Sequence, residues 1–176
     1  YLNYRGEYLI METILTTETL YKHSGAPSLW LHQSEAIYKA QARNYFGLFF
    51  DPGTGKTRAV LEMLLYKYHK RNRHVLPTLI LCPPVVIHNW KREFLEYTDI
   101  CSDNIIPLVG PGTKRLATFK EANPESIFIS NYEILSMPVY HEISAWMIRS
   151  EQPVCMVLDE MHKIKDSSSK RARLVH

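Results

Sequence analysis

Tyr45-Phe46-Gly47-Leu48-Phe49-Phe50-Asp51-Pro52-Gly53-Thr54-Gly55-Lys56-Thr57 decides how the whole chain is read. Its apolar first half predicts a strand over Tyr45–Phe50. Beyond the glycines, Val60, Leu61, Leu64, Leu65 and Tyr68 fall on one helical stripe and predict a helix over Thr57–His69. A strand, a glycine turn and a helix that opens on Gly-Lys-Thr match the second half of a phosphate-binding P-loop. Gly53 and Gly55, with Thr54 between them, let the backbone curl so that successive N–H groups face phosphate oxygens at the positive end of a helix. Lys56 would reach the β and γ phosphates, and Thr57 can offer its hydroxyl to Mg²⁺. Phe50 stands where the full motif carries its first glycine.

Further runs predict strands over Thr78–Cys82, Asn104–Val109, Ser126–Ser130 and Val154–Leu158, mostly the continuous apolar stretches of a sheet buried on both faces. Helical patterns lie between them, over Ser34–Asn44 before the loop and over Val86–Tyr97, Lys114–Ala122 and Val139–Arg149 after it. On Val86–Tyr97, Ile87, Trp90, Phe94 and Tyr97 recur three, four and three residues apart, which reads Trp90 as core. This alternation implies βαβ units, so the fold class is α/β: an open, mainly parallel sheet with helices on both faces. Ligands on such sheets sit at the carboxyl ends of the strands. Residues 1–28 fall outside the pattern and read as an N-terminal extension to a lobe over 29–176.

The 176 residues are 45% hydrophobic and 22% charged, with 7 Gly and 10 Pro, which sets aside disordered and fibrous classes. The most apolar stretch, Val75–Ile87, is broken by three prolines and is shorter than the ~20 residues that span a bilayer. Three scattered cysteines without a CxxC pair suit a reduced, cytosolic setting without structural zinc. No secretory leader is evident and position 1 is not Met, so the chain reads as a fragment. Net charge is +3, yet Lys163–Arg173 holds five basic residues against one acid, which leaves the rest at −1.

At the end of the last strand stand Asp159 and Glu160, where a P-loop protein carries its Walker B carboxylate. Asp159 can hold Mg²⁺, while Glu160 can orient and deprotonate a water beside the γ-phosphate. The tetrad Asp159-Glu160-Met161-His162 resembles the DExH box of superfamily two helicases. Pro77–Phe94, with its Cys-Pro strand end and Asn89-Trp90 pair, resembles a motif of the Swi/Snf-type DNA-dependent ATPases. Ser126–Leu135, Leu158–Val175 and Leu29–Gln33 resemble three further elements of that family in the same order. Met161 departs from the small residue usual there.

The resemblance implies the N-terminal RecA-like lobe of a P-loop NTPase, with ATP and Mg²⁺ as its ligands. It implies that Gln33 reads the adenine edge and that His162 links the nucleotide site to nucleic acid. It also implies that Pro83, Asn89, Lys91, Ser130, Asn131 and Tyr132 lie along a nucleic-acid backbone. Lys163, Lys165, Lys170 and Arg171 could add sequence-independent attraction to phosphates. The expected partners are nucleic acid, foremost double-stranded DNA, and a second RecA-like lobe that this chain lacks; no membrane is expected. Alone, the piece is expected to hydrolyse ATP poorly. An intracellular location at DNA follows, in a bacterial or phage setting. Two readings stay open: a translocase motor, with the translocase subunit of a restriction system as a near relative, or a nucleotide-dependent switch without turnover. Lys56 together with Glu160 favours the motor, because a switch has no need of a positioned base.

Overall fold

Thr78–Cys82 is buried at every position, because strand β1 (Thr78–Cys82) lies inside a sheet covered on both sides. The structure, a computed structural model, describes residues 28–41 and 43–160. Four parallel strands align in the order β2-β3-β1-β4, where β2 is Ile105–Pro107, β3 is Ile127–Asn131 and β4 is Cys155–Leu158. Thr78 pairs with Ile127 on one side and with Cys155 on the other, and Ile105 pairs with Ile127. All strands therefore point their carboxyl ends the same way, as the parallel α/β expectation requires.

The period-two alternation of the strands sorts their side chains into two cores. Ile80, Cys82, Ile127 and Ile129 meet Leu61, Leu64 and Leu65 of α2 (Lys56–Lys70) and Trp90 and Phe94 of α3 (Ile87–Tyr97). Leu79, Leu81 and Phe128 face Ile134 and Leu135 of the turn after β3, Leu116 and Phe119 of α4 (Gly112–Glu121), and Val139 and Ile143 of α5 (Val139–Arg149). On that second face Phe119, Phe128 and Trp146 form a ring triad with centroids 4.8–5.7 Å apart. Such pairs add roughly 0.5–1.5 kcal/mol beyond area burial.

Two expectations shift. The first helix, α1, spans Leu31–Gln41, three residues earlier than the apolar spacing indicates. The cause is local: Gln33 Oε1 accepts the Trp30 N–H at 2.9 Å, the backward half of a capping box, and fixes the start at Leu31. The second correction is larger, because Tyr45–Phe50 forms no strand. Phe50 turns its ring edge-on to His32 of α1 at 4.9 Å, and Phe46, Gly47, Leu48 and Phe50 border a small groove against that helix. Tyr45 and Phe49 are left exposed, and the segment runs beside α1 instead of adding to the sheet. Among the described residues no helix is long and apolar enough to cross a membrane. Of the extension read at 1–28, only Ser28 falls within the described residues.

Candidate nucleotide-binding site

The loop Asp51–Gly55 delivers the chain into α2 through two glycines in the left-handed region, Gly53 and Gly55, each at φ 79°. Gly55 is the N-cap, and a Cβ there would sit 2.2 Å from Gln33 Nε2, so both conformation and space demand glycine. Nothing lies within 4 Å of a Cβ at Gly53, where only the backbone conformation matters. Thr54 Oγ1 donates to the Asp51 carbonyl at 2.7 Å and tightens the turn. Lys56 folds its ammonium back onto the carbonyls of Phe50 and Asp51, at 3.0 and 3.2 Å.

Gln33 is 5% exposed and its amide is engaged at both ends. Its oxygen caps α1 at Trp30, and its Nε2 donates to the carbonyls of Thr54 and Gly55 at 3.3 and 3.4 Å. His32 Nε2 lies 3.0 Å from the same Thr54 carbonyl. Helix α1 thus grips the loop through its backbone.

Across the cleft, Asp159 hangs on the end of β1 by its N–H, which donates to the Leu81 carbonyl at 2.8 Å. Its own carbonyl accepts the Tyr132 hydroxyl at 2.7 Å, and its Oδ2 accepts the Trp90 indole N–H at 3.1 Å. Glu160 follows in the left-handed region at φ 54°, a conformation that costs a non-glycine residue roughly 1–2 kcal/mol. Strain of this kind clusters at functional sites. Burial, with the Asp159 carboxylate close by, pushes the Tyr132 phenol well above its ordinary range. The same two causes push the Cys82 thiol up to about 12.

Gln33, Gly53, Gly55, Lys56, Thr57, Asp159 and Glu160 all line one cleft of about 590 Å³ at the carboxyl ends of β1 and β4. Arg58, Glu93 and Tyr97 complete its wall, and the Arg58 guanidinium lies 4.5 Å from the centre of the Tyr97 ring. Burial is the main cause that raises Glu93 above the usual carboxylate range; Arg92 and Arg58 oppose it, while Glu96 and Asp159 add to it. A hydroxyl, two carboxylates and an ammonium around a glycine loop are the donor set that a magnesium-bound polyphosphate needs.

The expected nucleic-acid residues divide. Asn89 and Lys91 are half-buried on α3, and Pro83 is buried at the end of β1, where it borders the cleft. Ser130, Asn131 and Tyr132 turn inward. Ser130 Oγ donates to the Leu108 carbonyl, and Arg115, itself 5% exposed, donates to Ser130 Oγ at 3.2 Å and to Asn131 Oδ1 at 2.8 Å. Their side chains hold the turn after β3. His162, Lys163, Lys165, Lys170 and Arg171 lie outside the described residues.

Sequence reasoning missed Arg115 and the polar task of Trp90. For Trp90 a signal existed: an indole N–H placed on a buried stripe must find an acceptor. Arg115 gave none, because an arginine between Lys114 and Leu116 near the start of a helix reads as solvated.

Sheet and cleft together define an α/β protein of the P-loop class. The chain belongs to the SNF2-related domain family, whose model matches residues 32–176. It is 30% identical over 135 residues to the TATA-binding protein-associated factor MOT1 of Saccharomyces cerevisiae, covering 71% of this chain and 7% of that protein. It is 31% identical over 127 residues to the ISWI chromatin-remodeling complex ATPase ISW2 of the same yeast, covering 70% and 10%. With the human SWI/SNF-related matrix-associated actin-dependent regulator of chromatin subfamily A member 1 it shares 28% over 128 residues, covering 70% and 11%. The chain therefore spans only about a tenth or less of the length of these relatives.

Proposed function

We propose that this chain is the ATP-binding lobe of a DNA-dependent ATPase that couples hydrolysis to movement along duplex DNA. The observation that carries the reading is the single cleft bordered by Lys56 and Thr57 on one wall and by Asp159 and Glu160 on the other. Gly53, Thr54 and Gly55 would bind phosphate oxygens through main-chain N–H groups. Lys56 would leave the carbonyls of Phe50 and Asp51 for the β and γ phosphates. Thr57 and Asp159 would hold Mg²⁺, which neutralises charge on the phosphates when bound. Glu160, turned by its left-handed backbone, would orient the attacking water and accept its proton.

Gln33 acts on the nucleotide through the loop that it grips, since both ends of its amide serve backbone groups. His162 would link the carboxylate pair to the track. Asn89, Lys91, Lys163 and Lys165 would meet the phosphate backbone, with Pro83 shaping the cleft edge. Ser130, Asn131 and Tyr132 would support that surface from beneath. A second RecA-like lobe would close on the cleft, and charge added there stabilises phosphoryl transfer by roughly 10³–10⁵ in rate. An intracellular location suits a DNA track, and Cys82, Cys101 and Cys155 are free thiols.

The test is ATP turnover in a chain that includes the second lobe, with duplex DNA, single-stranded DNA, RNA or none. Strong stimulation by duplex DNA that is lost in Lys56→Ala is expected. Stimulation by RNA alone would move the track, and nucleotide binding without turnover under any condition would leave the switch.

A further inference from the structure

Asp159 is fastened by three elements of the fold at once. Strand β1 takes its N–H, the turn after β3 reaches its carbonyl through Tyr132, and α3 reaches one carboxylate oxygen through Trp90. The third contact meets the need of a buried indole N–H for an acceptor, and the acceptor it takes is a cleft carboxylate. Trp90 is 3% exposed among Phe94, Ile87 and the strands, yet its N–H points out of that core onto Oδ2 of a residue in the cleft.

We propose that Trp90 is a positioning residue for the magnesium-binding carboxylate, holding Oδ2 of Asp159 and so fixing the orientation in which that carboxylate would meet the metal. The inference rests on the reading that this cleft takes a magnesium nucleotide. An indole N–H donates and never accepts, and it keeps its proton at every relevant pH. It can therefore fix the orientation of a carboxylate without competing for the cation. Tyr132 performs the matching task on the main chain. Outer hydrogen-bond partners of metal-ligating groups commonly change metal affinity about 10–100-fold when removed. Trp90 joins α3 to the metal site directly, so a shift of α3 would be felt at Asp159.

The test uses the 176-residue chain labelled with ¹⁵N, whose three tryptophans give three indole signals. Trp30→Phe and Trp146→Phe assign the Trp90 signal by elimination, so the assignment does not depend on Trp90→Phe folding. The Trp90 indole proton is expected to move when Asp159→Asn removes the charge, and again when ADP with Mg²⁺ replaces ADP with EDTA. Trp90→Phe and Tyr132→Phe should leave ADP affinity in EDTA unchanged. Trp90→Phe should remove about tenfold of the affinity that Mg²⁺ adds. An unmoved Trp90 signal with normal magnesium-dependent tightening overturns the positioning role and leaves the nucleotide reading intact. Absence of any nucleotide binding by the parent chain overturns both.

Discussion

The two walls of the cleft are built on different principles. On one side Asp159 is an extension of the sheet: its N–H continues the β1 ladder, and two side chains from separate elements pin its carbonyl and carboxylate. On the other side the glycine loop is anchored by Gln33, His32 and the Lys56 ammonium turned onto loop carbonyls. The carboxylate wall is organised before any ligand arrives. The loop wall is satisfied by its own backbone, and a phosphate must compete with those carbonyls for the lysine. Positions behind the first wall should therefore govern turnover and the part of nucleotide affinity that Mg²⁺ adds, and positions behind the second should govern the shape of the loop and the affinity that needs no metal.

The largest effect tests the carboxylate wall as chemistry. Glu160→Gln is expected to lower turnover by about 10²–10⁴ while ATP binding persists, because it removes only the proton acceptor. A single-turnover assay beside a binding titration separates the two; equal losses in both would make Glu160 a structural residue. Next comes the same wall as structure. Phe128→Ala should cost about 3–5 kcal/mol in urea unfolding, since it removes the centre of the Phe119–Phe128–Trp146 triad beneath the sheet.

On the loop wall, Gly55→Ala should cost more than Gly53→Ala. Both require a left-handed residue, worth roughly 1–2 kcal/mol, but only Gly55 would also push against Gln33. Equal losses of stability would show that α1 does not grip the loop. Gln33→Ala should weaken ATP and GTP alike, by about 0.5–1.5 kcal/mol for each hydrogen bond lost. Loss confined to ATP would support the adenine-reading role that the family resemblance implies.

The smallest effect is at Glu93. Burial raises its carboxyl, so the folded chain holds this proton more tightly than the unfolded chain does. That contribution is complete below the ordinary value of 4.5 and is lost as pH rises through the raised one. Glu93→Gln should flatten this slope and leave the variant slightly more stable at neutral pH, as thermal melts at acid and neutral pH would show.

Much of this contrast was legible in the residues. Thr78–Cys82 and Val139–Arg149 are observed as read, since a continuous apolar run and a helical stripe leave few alternatives. The glycine loop and the acidic pair were visible because their chemistry fixes residue type and spacing. Tyr45–Phe50 misled, because an apolar run records only that burial is wanted and not which surface provides it; here α1 takes Phe50. Ser130, Asn131 and Tyr132 look like surface contacts in sequence, yet each is bonded to a residue distant in the chain: Leu108, Arg115 and Asp159. Long-range bonds of that kind carry no local signal.

The central claim is that the two walls form one site for a magnesium nucleotide. Calorimetric titration of the 176-residue chain with ATP, in Mg²⁺ and in EDTA, tests it most directly when repeated on Lys56→Ala and Asp159→Asn. The account predicts binding that Mg²⁺ tightens, loss of most affinity in Lys56→Ala, and loss of only the magnesium-dependent part in Asp159→Asn. Magnesium-dependent binding that survives both substitutions would place the nucleotide elsewhere and contradict it.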